Sequence, residues 1–175
     1  MKKNIFLLTV IIFISAALGT YYNKTYLKED RLSYDIQQRL KDVSKSMVSD
    51  YEVLQQKDFK NVRIILYRYN SNSFNLVACS IYEKTSNGRF KFIKGQEPGI
   101  TTGTMMAKIK EDKTKHYYLI HFGYLDDTDI NRYEITLGNK ILTKEYNKEE
   151  SFIEPYSMEN GGVGIKPLYE NKVIQ

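Results

Sequence analysis

The sequence predicts a mainly β protein: an N-terminal transmembrane helix, an amphipathic juxtamembrane helix, then an antiparallel β-sandwich or barrel. Three observations carry this. Ile5 to Tyr22 is an apolar run without a charged residue, behind Lys2 and Lys3. Apolar residues then recur at Leu32, Ile36, Leu40, Val43, Met47, Tyr51 and Leu54, with spacings of 4, 4, 3, 4, 4 and 3. After Lys60 the pattern turns to alternation, broken by turn residues. The chain divides accordingly into 1–24, a transmembrane anchor or signal peptide; 25–58, an amphipathic helix; and 59–175, an antiparallel β domain. The alternative architecture is α+β, a cystatin-like or nuclear-transport-factor-2-like helix on a curved sheet.

The run of residues 5–22 spans roughly 27 Å as a helix, close to the roughly 30 Å of a bilayer's hydrocarbon core. Lys2 and Lys3 favour a cytoplasmic N-terminus, so residues 25–175 are expected to be extracytoplasmic, tethered by a single pass. Tyr21, Tyr22 and Tyr26 suit the outer interface. A cleaved signal peptide is the competing expectation: Ile5 to Ile14 is an adequate apolar region, and Ala17-Leu18-Gly19 offers small residues for cleavage. Both readings export the domain; the second makes it secreted. A lipoprotein would need a cysteine just after the apolar run. The only cysteine, Cys79, sits in Leu76-Val77-Ala78-Cys79, far downstream.

Composition narrows the function classes. The formal charge is +5, with charges dispersed rather than clustered. That is no nucleic-acid footprint, so no nucleic-acid partner is expected. A lone cysteine permits no internal disulfide, and Cys79 reads as a small inward residue. The 15 tyrosines suit strands.

The second segment has no Pro or Gly from Thr25 to Gln56. Its mean apolar spacing is close to the helical period, giving one apolar stripe. Packing of that stripe on the chain's own β domain is the expectation, with self-association and a partner helix as rivals.

In the third segment, Val62–Tyr69 reads as a strand, and Asn70–Ser73 as a turn. A strand over Phe74–Lys84 reaches Asn87-Gly88, read as a two-residue type I′ turn that pairs Thr85 with Phe90 and Glu83 with Phe92. Phe90 and Phe92 would then share a face with Val77, Cys79 and Ile81. Glu97-Pro98-Gly99 marks a turn. Strands follow over Thr101–Lys110 and His116–Tyr124, then Asn131–Leu137 and Lys140–Tyr146 joined by Gly138-Asn139. Short strands near Phe152, Val163–Leu168 and Lys172–Ile174 finish the chain.

Lys115–Tyr124 (K-H-Y-Y-L-I-H-F-G-Y), Asp129–Ile135 (D-I-N-R-Y-E-I) and Tyr169–Ile174 (Y-E-N-K-V-I) together resemble small uncharacterised exported, membrane-anchored proteins of Gram-positive bacteria. The resemblance covers about a third of the chain. It implies a β fold and a place in the cell envelope, and carries no activity.

No catalytic or metal motif in the sequence is complete. Asp127-Thr128-Asp129-Ile130-Asn131 opens like a calcium loop, but Arg132 stands where the turn glycine belongs and Gly138 where the bidentate Glu belongs. His116 and His121 are an odd number apart, so on one strand they point to opposite faces; a shared metal would need a bulge. One of them is expected inward and hydrogen-bonded. Thr101-Thr102-Gly103-Thr104 lacks the Lys of a phosphate loop. Glu149-Glu150 lies in a polar connection. The expectation is a non-catalytic binding or interaction module of the bacterial cell envelope, without catalytic residues, cofactor or metal. It is held to the membrane through residues 5–22 and meets an envelope protein or cell-wall partner. An envelope hydrolase with an unrecognised site is the alternative.

Overall fold

A computed structural model describes residues 14–23, 25–44, 51–71, 74–95, 101–111, 114–125, 130, 132–158 and 162–168. Within these the chain is mainly β, with antiparallel sheets. Residues 14–23 are helical. A 3-10 turn at Glu29–Arg31 leads into α1, Leu32–Ser44. Ten strands follow: β1 Tyr51–Phe59, β2 Val62–Ser71, β3 Phe74–Lys84, β4 Phe90–Gly95, β5 Thr102–Glu111, β6 Thr114–Tyr124, β7 Arg132–Leu137, β8 Lys140–Glu145, β9 Ser151–Ser157 and β10 Val163–Leu168. They form three sheets, ordered β1-β2-β3-β4, β5-β6-β9 and β10-β7-β8.

The amphipathic helix expected over 25–58 is shorter than that. Tyr51 and Leu54, the end of the apolar stripe, lie in β1, so the β domain begins before residue 59. The reason is physical. Tyr51 and Val53 face one way, and a bulge between Val53 and Gln55 restores alternation for the rest of the strand. Pairing with β2 overrides a helical spacing that two turns of sequence cannot secure. The β1–β2 loop, Lys60-Asn61, lacks glycine and puts Lys60 at φ 54, so no turn signal advertised it.

Alternation along β2 and β3 gives the first sheet two apolar faces. Val62, Ile64, Leu66, Val77, Cys79 and Ile81 face the second sheet. There they meet Met105, Ala107 and Ile109 of β5 and Tyr118, Ile120 and Phe122 of β6. Ile153 of β9 completes this core. At both ends of the paired sheets a lysine reaches across. Lys57 Nζ on β1 donates to the Ile153 carbonyl on β9 at 2.7 Å, and Lys94 Nζ on β4 to the Met106 carbonyl on β5 at 3.1 Å.

The opposite face of the first sheet carries Ile65, Tyr67, Tyr69, Ala78, Tyr82 and Phe90, and α1 covers it with Leu32, Ile36 and Leu40. The Tyr82 hydroxyl donates to Asp35 at 2.9 Å, and Asp35 pairs with Arg39 one turn on. The Arg39 guanidinium lies 3.4 Å from the Phe92 ring centre.

That arrangement corrects the expected β3–β4 register. Lys84 pairs with Phe90 and Tyr82 with Phe92. The loop is three residues, not two. The Gly88 N–H donates to the Thr85 carbonyl, Gly88 takes φ +74, and Thr85 N donates to the Arg89 carbonyl. This is a type I turn closed by a left-handed glycine, the second common hairpin solution. The one-residue shift moves Phe90 and Phe92 from the Cys79 face to the α1 face. A bulge between Ile81 and Tyr82 then returns Ile93 to the inter-sheet core.

The third sheet packs Tyr133, Ile135 and Ile165 onto Phe152 and Tyr156 of β9, on the outer side of the second sheet. Its hairpin follows the sequence reading: Leu137 pairs with Lys140, and Gly138 leads the loop at φ 58. The strands expected over Thr101–Lys110, His116–Tyr124 and Val163–Leu168 are present. The turns expected at Glu97-Pro98-Gly99 and Asp127–Asp129 and the strand expected over Lys172–Ile174 lie outside the described residues.

Two strand glycines have a steric cause. The Phe122 ring lies over Gly103, its cross-strand partner; a Cβ there would come within 2.6 Å of it. At Gly123 a Cβ would meet Thr102 Cγ2 at 2.6 Å, Phe152 Cζ at 2.9 Å and the Thr101 carbonyl oxygen at 2.9 Å. The backbone oxygen has little room to move. Gly123→Ala is therefore expected to cost about 1–3 kcal/mol, read as a lower urea midpoint with an unchanged slope. An unshifted midpoint would show that β5 and β9 yield freely there.

Candidate functional site

The described part of the N-terminal helix is exposed throughout residues 14–23. Its large apolar side chains, Ile14, Leu18 and Tyr21, are 54%, 62% and 69% exposed. Among the described residues no helix is long and apolar enough to cross a membrane; residues 5–13 of the apolar run lie outside them.

The end of this helix is clasped by the β3–β4 hairpin. Tyr22 and Tyr26 stack at 4.7 Å. Asn87 Nδ2 at the hairpin tip donates to the Tyr22 hydroxyl at 2.6 Å. Arg89 Nη1 donates to Asn23 Oδ1 and to the Tyr26 carbonyl at 2.9 and 3.1 Å, and its guanidinium lies 4.9 Å from the Tyr22 ring centre. Leu27 and Phe90 then exchange both backbone hydrogen bonds as an isolated antiparallel bridge.

Two depressions flank this clasp. The larger, about 910 Å³, runs beside α1 and is lined by both signs of charge, among them Asp30, Arg31, Asp35 and Arg39. The smaller, about 400 Å³, is lined by Tyr26, Thr85, Ser86 and three lysines, Lys84, Lys91 and Lys110, with Asn61 and one carboxylate, Glu83. Lys91 Nζ stands 5.9 Å from the Tyr26 ring centre.

A third cluster centres on His121, buried between the second and third sheets. Its ring meets Phe152 at 4.8 Å, Tyr133 at 4.9 Å and Tyr146 at 6.1 Å, all edge-on. Cross-strand from it stands Glu154, which pairs with Lys144 of β8 at 2.6 Å. Burial, and secondarily Lys144, lower the His121 pKa from 6.5 to about 4. Burial also raises the Tyr156 hydroxyl to about 12. The expectation of an inward, hydrogen-bonded histidine holds only for its position: Nδ1 is buried without a hydrogen-bond partner.

His116 lies on the other face of β6, where its Nε2 meets Thr114 Oγ1 at 2.6 Å. The two histidines are thus not brought together. No group of three or more His, Cys, Asp or Glu side chains suited to a metal occurs among the described residues. Cys79 is fully buried, and burial raises its pKa, which leaves the thiol protonated and shielded. Thr102-Gly103-Thr104 lies in β5 and opens no helix. Glu150 accepts from the backbone and side-chain nitrogens of Asn147, a turn contact.

Sequence reading missed the lysine depression. Lys84 and Lys91 flank the Asn87-Gly88 turn and were legible as neighbours. Lys110 joins them only through the packing of β5 against the first sheet.

Comparison with protein-family models, curated proteins and solved structures found no match.

Proposed function

We propose that this chain is a membrane-anchored, extracytoplasmic binding module of the bacterial cell envelope, acting without catalysis. One observation carries the anchor: Ile14, Leu18 and Tyr21 all stay exposed on one helix, whereas α1 buries Leu32, Ile36 and Leu40. An apolar helix without protein cover suits lipid, and the helical segment continues the uncharged run of residues 5–13. We read the first two sheets as a sandwich with α1 as its lid, a rigid body displayed above the bilayer. Protein contact is best served by β8, an outer strand of the third sheet, where Ile141 and Leu142 are exposed on opposite faces.

Topology and attachment are tested together. Asn139→Cys places an exposed thiol in the β7–β8 loop, while buried Cys79 stays silent. An impermeant maleimide is expected to label it on intact cells, and the protein is expected to stay in the membrane pellet after carbonate washing. Labelling only after lysis would overturn export. Recovery from the medium would replace the anchor with a cleaved signal peptide. A photo-crosslinker at Leu142 is expected to give one discrete adduct; a smear of neighbours would remove the binding role.

A further inference from the structure

We infer that the depression bounded by Lys84, Lys91 and Lys110 holds the phosphate of an anionic phospholipid headgroup from the same membrane. The inference rests on the anchored reading above. Three lysines line a space of about 400 Å³ together with a single carboxylate residue, Glu83. That carboxylate already accepts from Asn61 Nδ2 at 3.2 Å. None of the three lysines enters a salt bridge among the described residues, whereas Arg39, Arg63, Arg68, Lys60 and Lys144 all do. Lys84 also acts at longer range on Asp58, which Arg63 already pairs; three cationic residues around one concavity favour an anion that lies between them.

Position selects the source of that anion. Tyr26 forms one wall, four residues after Tyr22, and stacks on it. Ser86 forms another, beside Asn87, which hydrogen-bonds Tyr22. The depression therefore opens where the apolar helix ends. If that helix enters the bilayer, the amines stand at headgroup level, where each basic side chain near an anionic surface contributes about 1 kcal/mol, roughly fivefold in affinity. Tyr26 supplies the amphipathic ring that such an interface favours.

The test uses the full chain in mild detergent, titrated with short-chain phosphatidylglycerol, phosphatidylcholine or inorganic phosphate. Binding is followed by NMR of ¹³C-methylated lysines, assigned with single Lys→Gln variants. The Lys84, Lys91 and Lys110 signals are expected to move together with phosphatidylglycerol alone. K84Q/K91Q/K110Q is expected to weaken binding about 100-fold. K115Q/K140Q/K166Q, equal in charge but on other strands, is expected to leave it unchanged. All six lysines are exposed, so melting temperature serves as the check that both variants fold. Equal losses in the two triple variants would reduce the effect to overall charge and overturn the site. Equal response to inorganic phosphate would overturn the lipid assignment, and so would unmoved signals. Because the titration does not require the chain to span a membrane, these failures differ from loss of the protein on carbonate washing, which sinks the anchor.

Discussion

Ile36→Asp is expected to lower the melting temperature by on the order of 10 °C or more, a loss of about 2–5 kcal/mol. Ile36 is 1% exposed, in the middle of the α1 row that covers Ile65, Tyr67 and Phe90. The substituted carboxylate would replace a branched apolar side chain against an aromatic surface. Asp35 and Arg39 already satisfy each other nearby, so Arg39 could serve the new charge only by abandoning Asp35, its place over Phe92, or both. Tyr34→Asp on the same helix is the control. Tyr34 is 56% exposed, and its substitution should change stability little. Equal melting of the two variants would show that α1 is not held on the first sheet. A wild-type protein that sediments as a stable dimer and yields folded monomers on Ile36→Asp would assign the stripe to self-association.

Acidification is expected to destabilise the protein through His121. In the folded state its pKa is about 4, against about 6.5 when unfolded. Below pH 6.5 the unfolded chain therefore binds a proton that the folded chain refuses, and stability falls as pH falls. The loss is about 2 kcal/mol by pH 5 and about 3 kcal/mol by pH 4, where the folded protein begins to titrate. The groups facing the ring are the Lys144–Glu154 pair and the hydroxyl-bearing rings of Tyr133 and Tyr146; the Lys144 charge works against protonation. Asp58 and Glu111, whose pKa values are lowered by Arg63 and Lys60, stabilise above the ordinary carboxylate range, so their loss comes at lower pH. His121→Phe keeps an aromatic ring in the box and should flatten the profile between pH 7 and 5. Urea midpoints across that window decide it: parallel curves for the two proteins would remove His121 as the cause.

Much of the β domain was legible because its signals are local. The alternation of Val62–Tyr69 and the Gly138-Asn139 loop specify strand and turn within a few residues. The β3–β4 register was not, because Asn87-Gly88 serves equally well as a two-residue loop or as the end of a three-residue one. The choice lies with Phe90 and Phe92, which need the cover of α1, some fifty residues earlier. β1 was missed for a related reason: an extended strand with a bulge places Tyr51 and Leu54 at a spacing that also fits a helix. The charge of Lys84, Lys91 and Lys110 could be read, but their convergence needs two sheets in place. That His116 and His121 point to opposite faces could be read from the strand pattern, but not that His121 is the inward one. Its aromatic box depends on β7 and β9 closing over it, and no local pattern announces that.

If the N-terminal segment tethers the domain as proposed, the Leu27–Phe90 bridge has a mechanical meaning. Two backbone hydrogen bonds join that segment to β4, whereas neighbouring strands within the first sheet share long ladders. A pull on the tether would load this short bridge and the Arg89 clasp first. Their rupture would free residues 25–31, which reach at most about 23–25 Å when fully extended, at about 3.3–3.6 Å each. The sheets would stay folded meanwhile. The domain would thus hang from a weak link that yields before its core, and the clasp could close again once the tension fell.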